Sequence, residues 1–125
     1  MEVTTQRSGG VDVIQVAGRI DHEKAGALEA ALSPHLEGPK ADGHPPLLLD
    51  MAGVSFLTSA GLRVLMIAAK TCKAQQRPIA VTNLQPMIAE VVRISRFDLV
   101  IPVYPSVADA MAAISPSSSS PASRE

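Results

Sequence analysis

A chain of 125 residues, 46% apolar and 18% charged, has the length and composition of one globular domain. A formal net charge of −1 with scattered basic residues, no Trp, one Tyr and two Phe argues against the basic, base-stacking surface of a nucleic-acid binder. The single cysteine, Cys72, excludes an internal disulfide and a multi-thiolate metal site, and no apolar run approaches the ~18–20 residues of a membrane span.

In chain order, Met1-Glu2-Val3-Thr4-Thr5 lacks the basic segment and apolar run of a signal peptide, so a soluble, cytoplasmic protein is expected. Val3 to Arg7 reads as a strand, Ser8-Gly9-Gly10 as a turn and Val11 to Ala17 as a second, β-branched strand, together an antiparallel hairpin. Gly18 ends that strand. Asp21 is placed to cap a helix whose Ala25, Leu28, Leu32 and Leu36 share one face, and Pro34 predicts a kink or an early end. Gly38 to Pro46 reads as a loop. Leu47-Leu48-Leu49, apolar without alternation, predicts a strand covered on both faces.

Within the segment Val54 to Lys73, Thr58-Ser59 sits just before a long helical run. Leu62, Leu65, Met66 and Ala69 form its core stripe, while Arg63, Ile67, Lys70 and Ala74 lie on another side. Ile79 to Thr82 is a short strand. Pro86 suits the first turn of a helix that carries Ile88, Val91, Val92 and Ser95 on one face. Leu99 to Val103 reads as a last strand. Ser106 and Asp109 resemble a capping box before Val107, Ala110, Met111 and Ile114. Ser115 to Glu125, rich in Ser and Pro, has nothing to bury and is expected to be disordered. The order β-β-α-β-α-β-α-β-α predicts an α/β domain over residues 1–114, with a mostly parallel sheet and one antiparallel edge, followed by a tail at 115–125.

Catalytic patterns are absent: no G-x-G-x-x-G, no Walker A loop, no paired histidines. His22, His35 and His44 read as solvated or capping groups, Cys72 as a buried small hydrophobe. Asp21, His22 and Asp50 sit near strand or loop ends, where backbone capping and a functional role are both open. Ser59 stands where a loop enters the long helix. Thr58 or Ser59 can serve as its N-cap. Ser59 also suits phosphorylation, because a phosphate there meets the free N–H groups and partial positive charge of a helix start and adds about −1.5 to −2 charge without unfolding the domain.

The run Asp50-Met51-Ala52-Gly53-Val54-Ser55-Phe56-Leu57-Thr58-Ser59-Ala60-Gly61-Leu62 resembles the signature of STAS domains, the bacterial anti-sigma-factor antagonists. Gly18-Arg19-Ile20-Asp21, Thr82-Asn83-Leu84-Gln85-Pro86 and Ile94-Ser95-Arg96-Phe97 resemble further segments of that family, and the likeness spans Val3 to Ile114. The resemblance implies a STAS-like fold, a four- to five-stranded mixed sheet with about four helices mainly on one side. It implies partner switching rather than enzyme activity. The unphosphorylated domain binds an anti-sigma factor that is also a serine kinase of the histidine-kinase-like ATPase type. Phosphorylation ends the complex, and a PP2C-type phosphatase reverses the step. No cofactor, metal, nucleic acid or membrane insertion is implied. The phosphoacceptor maps onto Ser59, and the partner-binding surface onto Asp21, His22, Asp50, Thr58, Ala60, Gly61, Leu62 and Arg63. The alternative within the family is a constitutive docking subunit of a transporter or stress-sensing assembly, in which Ser59 is only a cap. Two positions depart from the pattern: Thr58 stands where Asp is frequent, and Arg96 where Gly is common, so positive φ is not expected there.

Overall fold

The computed structural model describes residues 1–36 and 45–114. The 115–125 tail and the 38–46 loop up to residue 44, with His44, lie outside the described residues. Ten elements follow in order: β1 (Glu2–Ser8), β2 (Val11–Ile20), α1 (His22–Leu36), β3 (Leu47–Leu57), α2 (Ser59–Ala74), β4 (Ile79–Thr82), α3 (Pro86–Ile94), a 3-10 turn (Phe97–Leu99), β5 (Val103–Tyr104) and α4 (Val107–Ile114). The five strands form one sheet in the order β1-β2-β3-β4-β5. β1 and β2 are antiparallel, and Gly9 and Gly10 supply the positive φ values of +56° and +80° that their tight turn requires. The other pairs are parallel, each joined by a helical crossover.

The side-chain alternation of the strands explains the Leu47-Leu48-Leu49 run. Leu47 and Leu49 enter the main core with Ile14, Val16 and Met51, beneath α1, α2 and α3. Leu48 points the other way, into a smaller cluster of Val11, Val13 and Ala80 closed by Ala110 and Ile114 of α4. Three helices therefore cover one face and α4 covers part of the other, as the mixed-sheet expectation requires.

Helix ends follow local chemistry. The Lys24 amide donates to Asp21 Oδ1 (3.0 Å) at the head of α1, and the Asp109 amide to Ser106 Oγ (3.1 Å) at the head of α4. Pro86 occupies the first turn of α3. Pro34 is accommodated in the final turn of α1, which runs on to Leu36.

The structure departs from five local expectations. β2 does not end at Gly18. Gly18 takes φ +103° and the strand continues to Ile20, because β3 keeps pairing with it through Ile20 and Leu57. β3 is eleven residues long, not three. Beyond Asp50 it loses β4 but keeps β2 as a neighbour, and its exposed Ala52, Gly53 and Ser55 give no apolar run to announce a strand. Gly53 permits the bulged register, since a Cβ there would lie 2.6 Å from Ala17 Cβ. The strand expected over Leu99–Val103 reduces to Val103–Tyr104. Leu99 closes the 3-10 turn and is exposed, and Ser95 lies past the end of α3. Finally, Arg96 does adopt φ +62°, ψ +24°. Phe97, fully buried behind it, anchors the turn and holds the arginine in the left-handed region.

A buried cation closes the far end of the sheet. Arg77 donates to the carbonyls of His35 and Pro45 and, at 3.2 Å, to Asp12 Oδ2. Gln75 Nε2 donates to Leu36 O at 2.6 Å. These bonds tie together the two chain ends that flank residues 37–44.

Candidate functional site

The parallel pairing of β2 and β3 brings two helix starts to one end of the sheet. Ile20 pairs with Leu57, so Asp21 and Thr58 leave the sheet side by side. The Thr58 amide donates to Ile20 O (3.0 Å), and its hydroxyl donates to the same carbonyl at 3.3 Å. That hydroxyl also accepts from the Gly61 amide at 3.5 Å, which makes Thr58 the N-cap of α2. The choice left open between Thr58 and Ser59 is thereby resolved by geometry.

Ser59 is the first residue of the helix, exposed, and its hydroxyl makes no hydrogen bond among the described residues. No acidic residue lies in the first turn of α2. Arg63, exposed and one turn on, shares the face of Ser59. An anion on Ser59 would thus meet unpaired backbone N–H groups, the positive end of a sixteen-residue helix and a guanidinium.

Gly61 sets how closely this turn lies on the sheet. A Cβ at position 61 would come 2.5 Å from Ile20 Cγ2 and 2.9 Å from Leu57 Cδ1. The glycine serves close approach here, not an unusual φ. Leu62 points inward beside it, 8% exposed, within the main core. Gly61 and Leu62, expected on the partner-facing surface, are therefore buried and act by seating the turn. Asp21 is half-buried at the head of α1, with His22 exposed after it, and Ala60 is half-buried between Ser59 and Gly61.

Asp50 stands apart from this group. It is buried and lies seven residues before Leu57 on β3, about 23 Å along an extended strand. Its Oδ1 accepts from the Ala52 amide and from Asn83 Nδ2, both at 3.1 Å, while Gln85 Nε2 donates to Ala52 O at 2.9 Å. Asp50 thus fastens the loop from β4 to α3, whose Asn83 takes φ +61°. The structure does not bring it to Ser59.

One feature of this end was missed from the sequence. The Arg19 guanidinium lies 4.2 Å above the Phe56 ring, a cross-strand cation–π pair on the rim that carries Thr58 and Ser59. Only the register of β2 on β3 could have revealed it. Cys72 is fully buried, and burial pushes its thiol up from its ordinary pKa, with Arg77 partly opposing, so the sulfur stays protonated and unreactive. Among the described residues no group of His, Cys, Asp or Glu is arranged to hold a metal ion, and no helix is long and apolar enough to cross a membrane.

Comparison with known families adds the decisive observation: the STAS domain model matches residues 2–110, nearly the whole described fold. The chain belongs to the STAS domain family. Among similar proteins of this family is BtrV of Bordetella bronchiseptica, which bears the name of an anti-sigma factor antagonist; it is 30% identical over 113 residues, covering 90% of this chain and 94% of BtrV. Rv2638 of Mycobacterium tuberculosis, named an anti-anti-sigma factor, is 25% identical over 111 residues, covering 89% of this chain and 74% of that protein. The crystal structure of an anti-sigma factor antagonist from Mycobacterium paratuberculosis superposes with a TM-score of 0.79 at 29% identity, over 90% of this chain and 92% of the other.

Proposed function

We propose that this STAS domain is an anti-sigma-factor antagonist of the partner-switching kind, with Ser59 as its phosphoacceptor. The reading rests on one observation above all. Thr58 carries the capping duty of α2, so the neighbouring Ser59 hydroxyl is exposed, uncommitted and set at a helix start that favours an anion. The names of its relatives supply the class of partner.

In this account the domain acts by binding and carries out no catalysis. Its unphosphorylated form docks an anti-sigma factor of the histidine-kinase-like ATPase type through the surface around Asp21, His22, Thr58, Ser59, Ala60 and Arg63, and so frees the client that factor holds. The partner is also the kinase. Ser59 Oγ attacks the γ-phosphorus of ATP, the bond from that phosphorus to the bridging oxygen of ADP breaks, and the serine proton passes to a base of the kinase. The phosphoserine adds about −1.5 to −2 charge at the contact, and like-charge repulsion with desolvation ends the complex. A PP2C-type phosphatase hydrolyses the ester, returning serine and inorganic phosphate.

Titration of the anti-sigma factor with wild type and Ser59→Asp tests the reading. The variant keeps its circular dichroism spectrum and unfolding midpoint and binds at least tenfold more weakly, about 1.4 kcal/mol. Equal affinities would instead describe a docking subunit that is indifferent to charge at this position.

A further inference from the structure

The far end of α2 carries a second surface that partner switching at Ser59 leaves unused. It is a groove of about 550 Å³ between the last turns of α2 and the segment that leads into β5. Its floor is apolar and buried, made by Ala69, Ile79 and Ile114. Leu99 and Val100 form its outer wall and are 78% and 42% exposed. Leu99 and Val100 continue the apolar floor outward to the surface, so the trough and its outer wall form one contiguous apolar strip.

The opposite wall is basic. Lys70 and Lys73, one helical turn apart, are exposed and form no ion pair among the described residues. Arg77 also borders the groove, but its charge is committed to Asp12. Among the described residues no Asp or Glu lines the groove. An apolar trough with two uncompensated cations along one side selects an occupant that presents apolar side chains on one face and carboxylates on the flank.

The chain's own terminus does not answer that description. Residues 115–125 read Ser-Pro-Ser-Ser-Ser-Ser-Pro-Ala-Ser-Arg-Glu, with no large apolar side chain and with their one acid, Glu125, beside Arg124. Ser59 is eleven residues from Lys70 along α2, about 16 Å, so an occupant here need not displace a partner there.

We infer that this groove docks an acidic, amphipathic helical segment of a second protein. Its apolar stripe packs on Leu99, Val100 and the floor, and its carboxylates face Lys70 and Lys73. The inference is independent of the phosphorylation of Ser59. It gives the domain two faces, one at each end of α2, so that a protein held by the groove can stay bound while the Ser59 end changes partner.

The test uses the full chain, labelled with nitrogen-15. The probe is a synthetic eighteen-residue peptide (~27 Å long when helical) with leucines at i, i+3, i+4 and i+7, glutamates along one flank of that stripe, and alanine and glutamine elsewhere to favour the helix. The control peptide keeps the leucines and replaces every glutamate by lysine. Saturable amide shifts confined to Lys70, Lys73, Leu99, Val100 and their neighbours are expected with the acidic peptide, none with the basic one. Lys70→Glu with Lys73→Glu weakens binding about tenfold or more, and Leu99→Ser weakens it without altering the salt dependence. Equal binding of both peptides, shifts mapping to Ser59, or no shift at millimolar peptide overturns the inference. So does competition by a peptide of residues 115–125, which would assign the groove to the chain itself. A concentration-dependent dimer abolished by the lysine reversals would assign it to a second copy, with the same consequence.

Discussion

Replacing Thr58 and Ser59 separately by alanine distinguishes the structural hydroxyl from the free one. Thr58→Ala removes two bonds, the one it accepts from the Gly61 amide and the one it donates to Ile20 O. The first is long at 3.5 Å, so its loss falls toward the lower end of the range for N-caps, about 0.5 kcal/mol. The second leaves no orphan, because the Thr58 amide still donates to Ile20 O at 3.0 Å, and costs about 0.5 kcal/mol. The sum, about 1 kcal/mol, lowers the melting temperature of a domain of this size by about 4 °C. Ser59→Ala removes no bond and places a better helix former in the first turn, so its effect stays within about 0.5 kcal/mol of zero. Urea unfolding of both variants, with unchanged m-values, measures the difference as a shift in midpoint. Equal destabilisation by the two substitutions, or a larger loss at Ser59, would refute the assignment of the cap and with it the argument that Ser59 is free to be modified.

Other parts of the fold give further expectations. Arg77→Met keeps the length of a buried side chain but strips donors from His35 O, Pro45 O and the Asp12 carboxylate; with Arg7 still beside Asp12, the loss is about 3 kcal/mol in urea unfolding, and a loss below about 1 kcal/mol would remove Arg77 from its role as a clamp. Arg96→Gly relieves a left-handed arginine and stabilises by about 0.5–1 kcal/mol, whereas destabilisation would mean that the Arg96 side chain contributes more than its backbone costs. Burial raises the Cys72 pKa above its ordinary 9.0 in the folded state, so the unfolded chain gives up this proton first. The thiol's contribution is complete below that ordinary value and is lost as pH rises through the raised folded one. The stability gap between wild type and Cys72→Ala should therefore narrow from pH 8 to pH 10. A gap that stays constant would place the sulfur in contact with water.

Much of this architecture was legible because its signals are local. Asp21 and Ser106 cap helices, Pro86 opens one, and the Leu47-Leu48-Leu49 run could be buried on both faces only in a central strand. What escaped depends on register and on contacts distant in sequence. The second half of β3 is held as a strand by β2 rather than by its own residues, so Ala52 to Ser55 carry no strand signal of their own. Asp50, part of the same sequence run as Ser59, is carried away from it by that extended strand and bonds instead to Asn83. Gly61 and Leu62 neighbour Ser59 in sequence, yet helical rotation turns them to the sheet. Arg96 shows a tertiary anchor overriding local preference, since the buried Phe97 fixes the turn whatever residue precedes it. Thr58 and Ser59 were indistinguishable as caps in sequence, and one carbonyl, that of Ile20 across the sheet, separates them.

The central claim is tested most directly by incubating the protein with ATP and the anti-sigma factor proposed as its kinase, then measuring intact mass and mapping the modified peptide. The account predicts one added phosphate, on Ser59, absent from Ser59→Ala and retained by Thr58→Ala. A phosphate on Thr58, or none while the kinase still binds, would contradict it.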